Sequence, residues 1–137
     1  MAPKRYAQDD PREWLNRAQS NLVQAKEQKT GVYLEDLCFQ AQQATEKAIK
    51  AVLLHRHVRF PYIHDLSELV NLLRKSGEKI PPFLEEAVEL TDFAVEARYP
   101  STAEEVTPEE YQETVTAAER VVKWATDLIA PMDNKTA

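Results

Sequence analysis

The sequence predicts an all-α fold, an antiparallel up-and-down bundle of four longer helices plus a short one. Three observations predict it. The eight prolines stand at 3, 11, 61, 81, 82, 100, 108 and 131, and no long segment between them contains another. Proline inside a helix costs about 3 kcal/mol, so these positions mark starts and ends. Within the segments apolar residues recur every three or four positions, and none alternates with polar residues long enough to make a strand. Glycine occurs only twice in 137 residues, whereas sandwiches and barrels of many short strands need it at their turns.

Asp10-Pro11-Arg12-Glu13 reads as an N-cap, a proline at N1 and a glutamate at N3. Helix 1 then runs to about Gln28 on Leu15, Ala18, Leu22 and Ala25, and Thr30-Gly31 breaks it. Helix 2 runs from about Val32 to His57, roughly 39 Å at 1.5 Å per residue. Phe60-Pro61 closes that region, because a residue before proline avoids helical angles. Helix 3 spans about His64 to Lys75 with Leu66, Leu69, Val70 and Leu73, and Ser76-Gly77 stops it. Helix 4 follows Pro81-Pro82 and ends before Tyr99-Pro100. Helix 5 enters through Thr107-Pro108-Glu109-Glu110, a second cap-and-proline signal, and ends before Pro131. The length fits one domain, 1–137, with its core at about 11–130.

Helix 2 carries two apolar stripes where a surface helix needs one. Ala41, Ala44, Ala48 and Val52 share one side; Phe39, Ile49 and Leu53 share another, around Gln42 and Glu46. Either helix 2 is central within the chain, or one face meets a second copy. The small side chains of Ala41, Ala44 and Ala48, with Val52, make that face the candidate dimer seam.

The net charge is −6, which argues against a broad nucleic-acid coat, since phosphate affinity needs clustered positive charge. The charge is uneven: residues 1–79 sum to +3 and residues 80–137 to −9. Lys47, Lys50, Arg56 and Arg59 lie in a stretch without an acid, whereas Arg98 is the one base among 11 acids between Ile80 and Glu119. Such polarity suits pairing with a second copy or a charged partner. No apolar run reaches the roughly 18 residues of a membrane span. Met1–Arg17 hold no hydrophobic leader, and the single Cys38 can form no internal disulfide, so a cytoplasmic protein is expected. His55 and His57 diverge on a helix, and no other residues complete a zinc set, so neither a metal nor a cofactor is expected.

Phe39-Gln40-Ala41-Gln42-Gln43-Ala44-Thr45-Glu46-Lys47-Ala48-Ile49-Lys50-Ala51, His64-Asp65-Leu66 and Ala97-Arg98-Tyr99-Pro100 together resemble the HEPN family (higher eukaryotes and prokaryotes nucleotide-binding domain) over about Trp14 to Ile129. The resemblance implies a helical bundle, usually homodimeric. It also implies a small prokaryotic protein often encoded beside a nucleotidyltransferase in a toxin–antitoxin-like pair. Ribonuclease members of the family separate an arginine by four to six residues from a histidine. The histidine moves a proton at the ribose hydroxyl or leaving oxygen while the arginine holds the phosphate. Arg98 matches that arginine, but positions 103 to 105 hold Ala103, Glu104 and Glu105, and the tyrosine some members carry beyond the histidine is absent from Glu105, Val106 and Thr107. The expected function is therefore binding, of a nucleotide or a partner nucleotidyltransferase, with no catalytic residue assigned. An RNA endonuclease toxin and a structural interaction module are the alternatives.

Arg98 is the first candidate for a nucleotide or phosphate ligand, through its bidentate guanidinium, with Tyr99 available for stacking; the other reading of Arg98 is an ion pair closing helix 4. Lys47, Lys50 and His64 are the further candidates, set against solvated surface for the lysines and helix-capping or packing for His64.

Overall fold

A computed structural model describes residues 2–60, 62–96 and 105–135. They form five α-helices and one π-helical turn: α1 Pro11–Lys26, α2 Leu34–His55, α3 Leu66–Lys75, α4 Pro82–Thr91, the π turn Asp92–Glu96, and α5 Pro108–Lys135. No strand occurs among the described residues. No helix there is long and apolar enough to cross a membrane.

The start signals act as their chemistry predicts. The Asp10 carboxylate accepts the Arg12 backbone N–H at 2.9 Å, satisfying one of the donors a helix start leaves open. Thr107 and Glu110 exchange bonds, Thr107 N–H to Glu110 Oε1 at 3.0 Å and Glu110 N–H to Thr107 Oγ1 at 3.1 Å, which is a full capping box. Asp65, rather than His64, caps α3 by accepting the Glu68 N–H at 3.1 Å, so α3 begins two residues later than predicted. Helix α2 ends at His55, and the chain leaves it through His57 in the left-handed region at φ 62°. Arg56 then donates to Ser76 Oγ at 2.8 Å, to the Ser76 carbonyl at 2.7 Å and to Glu78 at 3.1 Å, clamping the end of α2 to the α3–α4 turn.

Two expectations are corrected here. Helix 4 does not continue regularly: its hydrogen-bond ladder slips by one residue from Asp92, and the Thr91 hydroxyl donates to the Ala87 carbonyl at 2.9 Å beside the slip. Pro131 does not end α5, which runs on to Lys135. Proline's fixed φ is helix-compatible, so near a helix end it removes one hydrogen bond without forcing an exit.

Helix α2 packs against α1, α3, α4, α5 and the π turn, and is the axis of the bundle. Ala44, Ala48 and Val52 sit in a core with Leu15, Ala18, Val121 and Ala125, while Ala41 joins Ala25, Tyr111, Val115 and Ala118. All four residues of the expected dimer seam have no solvent-exposed surface within a single chain. The alanines let α1 and α5 approach closely, so that face is used up internally and has nothing to offer a second copy. Of the two readings of the doubled stripe, the central helix is the one the fold adopts. Tyr111 ties the layers together: its buried hydroxyl donates to the Ala25 carbonyl at 2.6 Å, one of the last-turn acceptors that no α1 N–H reaches.

Candidate functional site

Gln42, Glu46 and Lys50 follow one another by one helical turn on α2, so they share a face. At its Lys50 end the N-terminal arm, α1 and the α2–α3 loop converge, and at its Gln42 end it meets Glu96 of the π turn. Lys50 Nζ donates to Glu46 Oε2 at 3.0 Å, with the two side chains only 4% and 7% exposed. His64, from the loop before α3, meets the same oxygen through Nδ1 at 3.1 Å. A carboxylate bonded to an ammonium accepts and does not donate, so Nδ1 carries the proton there. The imidazole is otherwise largely exposed.

The Lys50 ammonium also lies 5.4 Å from the Trp14 ring centre and 5.3 Å from that of Phe60. Those two rings meet edge to face at 5.4 Å. Aromatic faces carry negative potential, so a desolvated ammonium is held by the rings as well as by Glu46. A cavity of about 640 Å³ opens above, walled by Gln8 and Asp9 of the arm, Trp14, Lys50, Leu54, and Arg59, Phe60, Tyr62 and His64 of the loop.

The arm is fixed by polar contacts. Trp14 Nε1 donates to the Gln8 carbonyl at 2.7 Å, Asn16 Nδ2 to the Lys4 carbonyl at 2.9 Å, and the Tyr6 N–H to Glu13 Oε1 at 2.8 Å. The Arg12 guanidinium lies 4.2 Å from the Tyr6 ring centre. The Tyr6 N–H, followed by the Arg17 side chain, holds the Glu13 carboxyl below the ordinary range.

A second cavity, of about 520 Å³, lies on the other side of His64 and Glu46 and has the opposite character. Asp65, Asp92 and Glu96 line it, with Gln42 Nε2 donating to Glu96 Oε1 at 3.2 Å. Burial first, then the charges of Asp65 and Glu96, push the Asp92 carboxyl above its usual value. The Glu46–His64 pair is thus the partition between a cationic, aromatic cavity and an acidic one. Among the described residues no three His, Cys, Asp or Glu side chains converge to hold a metal ion.

Of the expected ligand residues, Lys50 and His64 are brought together on Glu46 at the first cavity. Lys47 is not with them. It donates to Asn21 Oδ1 at 2.7 Å, between α1 and α2, and lines a neighbouring groove with Trp14 and Arg17, where burial pulls its pKa down. Arg56 is engaged by Ser76 and Glu78 and is no part of the patch. Arg98 and Tyr99 lie outside the described residues. Sequence reasoning missed Trp14, Phe60 and Tyr62. The available signal was the run Arg59-Phe60-Pro61-Tyr62, a base flanked by two aromatics at the end of a basic stretch.

Comparison with known proteins gives two matches. The HEPN domain family model matches residues 11–128. The crystal structure of ST0689, an archaeal HEPN homologue, superposes with a TM-score of 0.61 at 25% identity, covering 88% of this chain and 98% of that one. No curated protein matches.

Proposed function

Because the chain belongs to the HEPN domain family, we propose that it is a cytoplasmic binding protein for a nucleotide, for a partner nucleotidyltransferase in a toxin–antitoxin-like pair, or for both. The observation that supports this reading is the cavity in which Lys50, Arg59 and His64 stand beside Trp14, Phe60 and Tyr62. Cations beside aromatic rings are what a phosphate attached to a planar base requires. Proton transfer is less well provided for, since Arg98 is followed at 103–105 by Ala103, Glu104 and Glu105. Two carboxylates there would repel an RNA phosphate beside the arginine.

The test is a melt of the purified protein with mono-, di- and triphosphate nucleotides and a dinucleotide, beside an incubation with RNA. A ligand at about 100 times its Kd stabilises by about 2.7 kcal/mol, so nucleotide binding is expected as a clear rise in Tm with RNA left intact. Strong RNA cleavage abolished by Arg98→Ala would replace this reading with the endonuclease toxin. Co-purification with a transferase and no response to nucleotide would leave a purely structural module.

We further propose a homodimer. With the alanine face of α2 internal, the exposed apolar side chains on and beside α2 that a second copy could cover are Val32, Tyr33 and Phe39, 42%, 75% and 46% exposed. Light scattering that reports a monomer at micromolar concentration would remove this part of the reading.

A further inference from the structure

We infer that the ligand of the aromatic cavity is a nucleoside monophosphate, its base on the Tyr62 ring and its phosphate on Arg59. This rests on the nucleotide-binding reading above and narrows it. The cationic, imidazole and aromatic side chains of the cavity divide into those already satisfied and those that are not. Trp14 and Phe60 hold the Lys50 ammonium over their rings, and Lys50 and His64 both bond Glu46. Tyr62 is 96% exposed, with its ring at the cavity wall. Arg59 is exposed, and no described side chain pairs with it.

Tyr62 also sits at φ 58°, a left-handed conformation that is an outlier for a bulky residue. Packing does not explain the choice, because the ring touches solvent on nearly every side. Glycine would make the same turn without strain. The strained turn presents a free aromatic face three residues from a free guanidinium, in a cavity that the Lys50 ammonium and the His64 ring also line. Stacking is open to any base, and a guanidinium takes two phosphate oxygens at once.

The carboxylates around the cavity restrict the ligand to one phosphate. Asp9 of the N-terminal arm is part of the wall. Past His64, which lines both cavities, lie Glu46, Asp65, Asp92 and Glu96. A triphosphate tail or a continuing RNA strand would have to run toward one of these carboxylate groups. The volume, about 640 Å³, lies within the range of about 300–1,000 Å³ usual for small-molecule sites.

The experiment is calorimetric titration of the full chain with AMP, CMP, GMP and UMP, with ATP, adenosine, inorganic phosphate and a short single-stranded RNA as comparisons. Tyr62→Gly and Arg59→Ala alter exposed side chains, and the first also relieves strain, so both variants retain the fold. At least one monophosphate is expected to bind more tightly than adenosine, phosphate, ATP and the RNA. Tyr62→Gly should weaken it at least about fivefold, the low end of what one stacked base loses on truncation, while Tyr62→Phe stays within about twofold. Arg59→Ala should weaken it by about tenfold or more, as for a lost charge-assisted hydrogen bond. Monophosphate binding that ignores both variants but disappears with Arg98→Ala would overturn this assignment and leave the nucleotide-binding reading standing. Preference for ATP or RNA would overturn the monophosphate. No binding by any nucleotide would overturn both readings together.

Discussion

Glu46→Ala is the most informative single change, because it leaves the Lys50 ammonium buried without its carboxylate. Removing one partner of a buried ion pair costs about 3–5 kcal/mol. Two features of the structure place this case at the lower end. The ammonium keeps the Trp14 and Phe60 rings, 5.4 and 5.3 Å away, and a desolvated cation–π contact is worth about 2 kcal/mol. The adjoining cavity also gives water a route to the freed charge. The expected loss is therefore about 3 kcal/mol, or a fall in Tm of about 10 °C for a domain of this size. Replacing both partners by apolar residues of similar volume, Glu46→Leu with Lys50→Met, should restore most of it, because neither charge then needs a partner. Urea unfolding with an unchanged m-value measures both differences. A single variant within about 1 kcal/mol of the parent, or a double variant whose loss is the sum of the two singles, would refute the coupling of Lys50 to Glu46.

Tyr111→Phe should cost about 1–1.5 kcal/mol by chemical denaturation, since the Ala25 carbonyl loses its buried donor. Burial, reinforced by Cys38, raises the Tyr111 phenol above its ordinary 10.0. The neutral form is the one the fold favours, so stability should fall as pH rises from about 10 through the raised value, and the Phe variant should lack this component. Asp92→Asn should raise the melting temperature at pH 7 by the equivalent of a few tenths of a kcal/mol, about the size of one like-charge contact. Because the Asp92 carboxyl is raised, chiefly by burial and then by Asp65 and Glu96, the parent protein regains that difference as pH falls through its titration; an advantage of the Asn variant that persists in acid would contradict the assignment. Thr107→Ala removes one arm of the capping box and should cost about 1 kcal/mol in a thermal melt.

The fold was legible where a residue type has one local consequence. Asp10-Pro11 and Thr107-Pro108 start helices because a carboxylate or hydroxyl followed by proline satisfies donors and presets φ. The doubled stripe of α2 was legible as a pattern but not as a place, since alanine suits a packed interior and a subunit contact equally. Pro131 misled because proline's penalty depends on what the lost hydrogen bond was worth, and that is set by position in the helix. The π turn at Asp92 left no trace, as a slip of one residue changes neither composition nor periodicity over five positions. In the candidate site, Lys50 is legible as part of the basic end of helix 2, and His64 as a ligand or capping candidate, both within the family motifs. Their meeting on Glu46 depends on where the α2–α3 loop folds back, which no spacing rule supplies. Trp14 and the N-terminal arm were missed for the same reason: the bond from Trp14 Nε1 to the Gln8 carbonyl joins segments with no shared periodicity.

The central position of α2 has a consequence for how the molecule breathes. Every other helix leans on it, so its backbone amides can meet solvent only when several neighbours leave at once. α3, in contact with α2 and α4 alone, can detach by itself. Deuterium uptake should accordingly be staged, with α3 exchanging through a partial opening and the middle of α2 only at the rate of global unfolding.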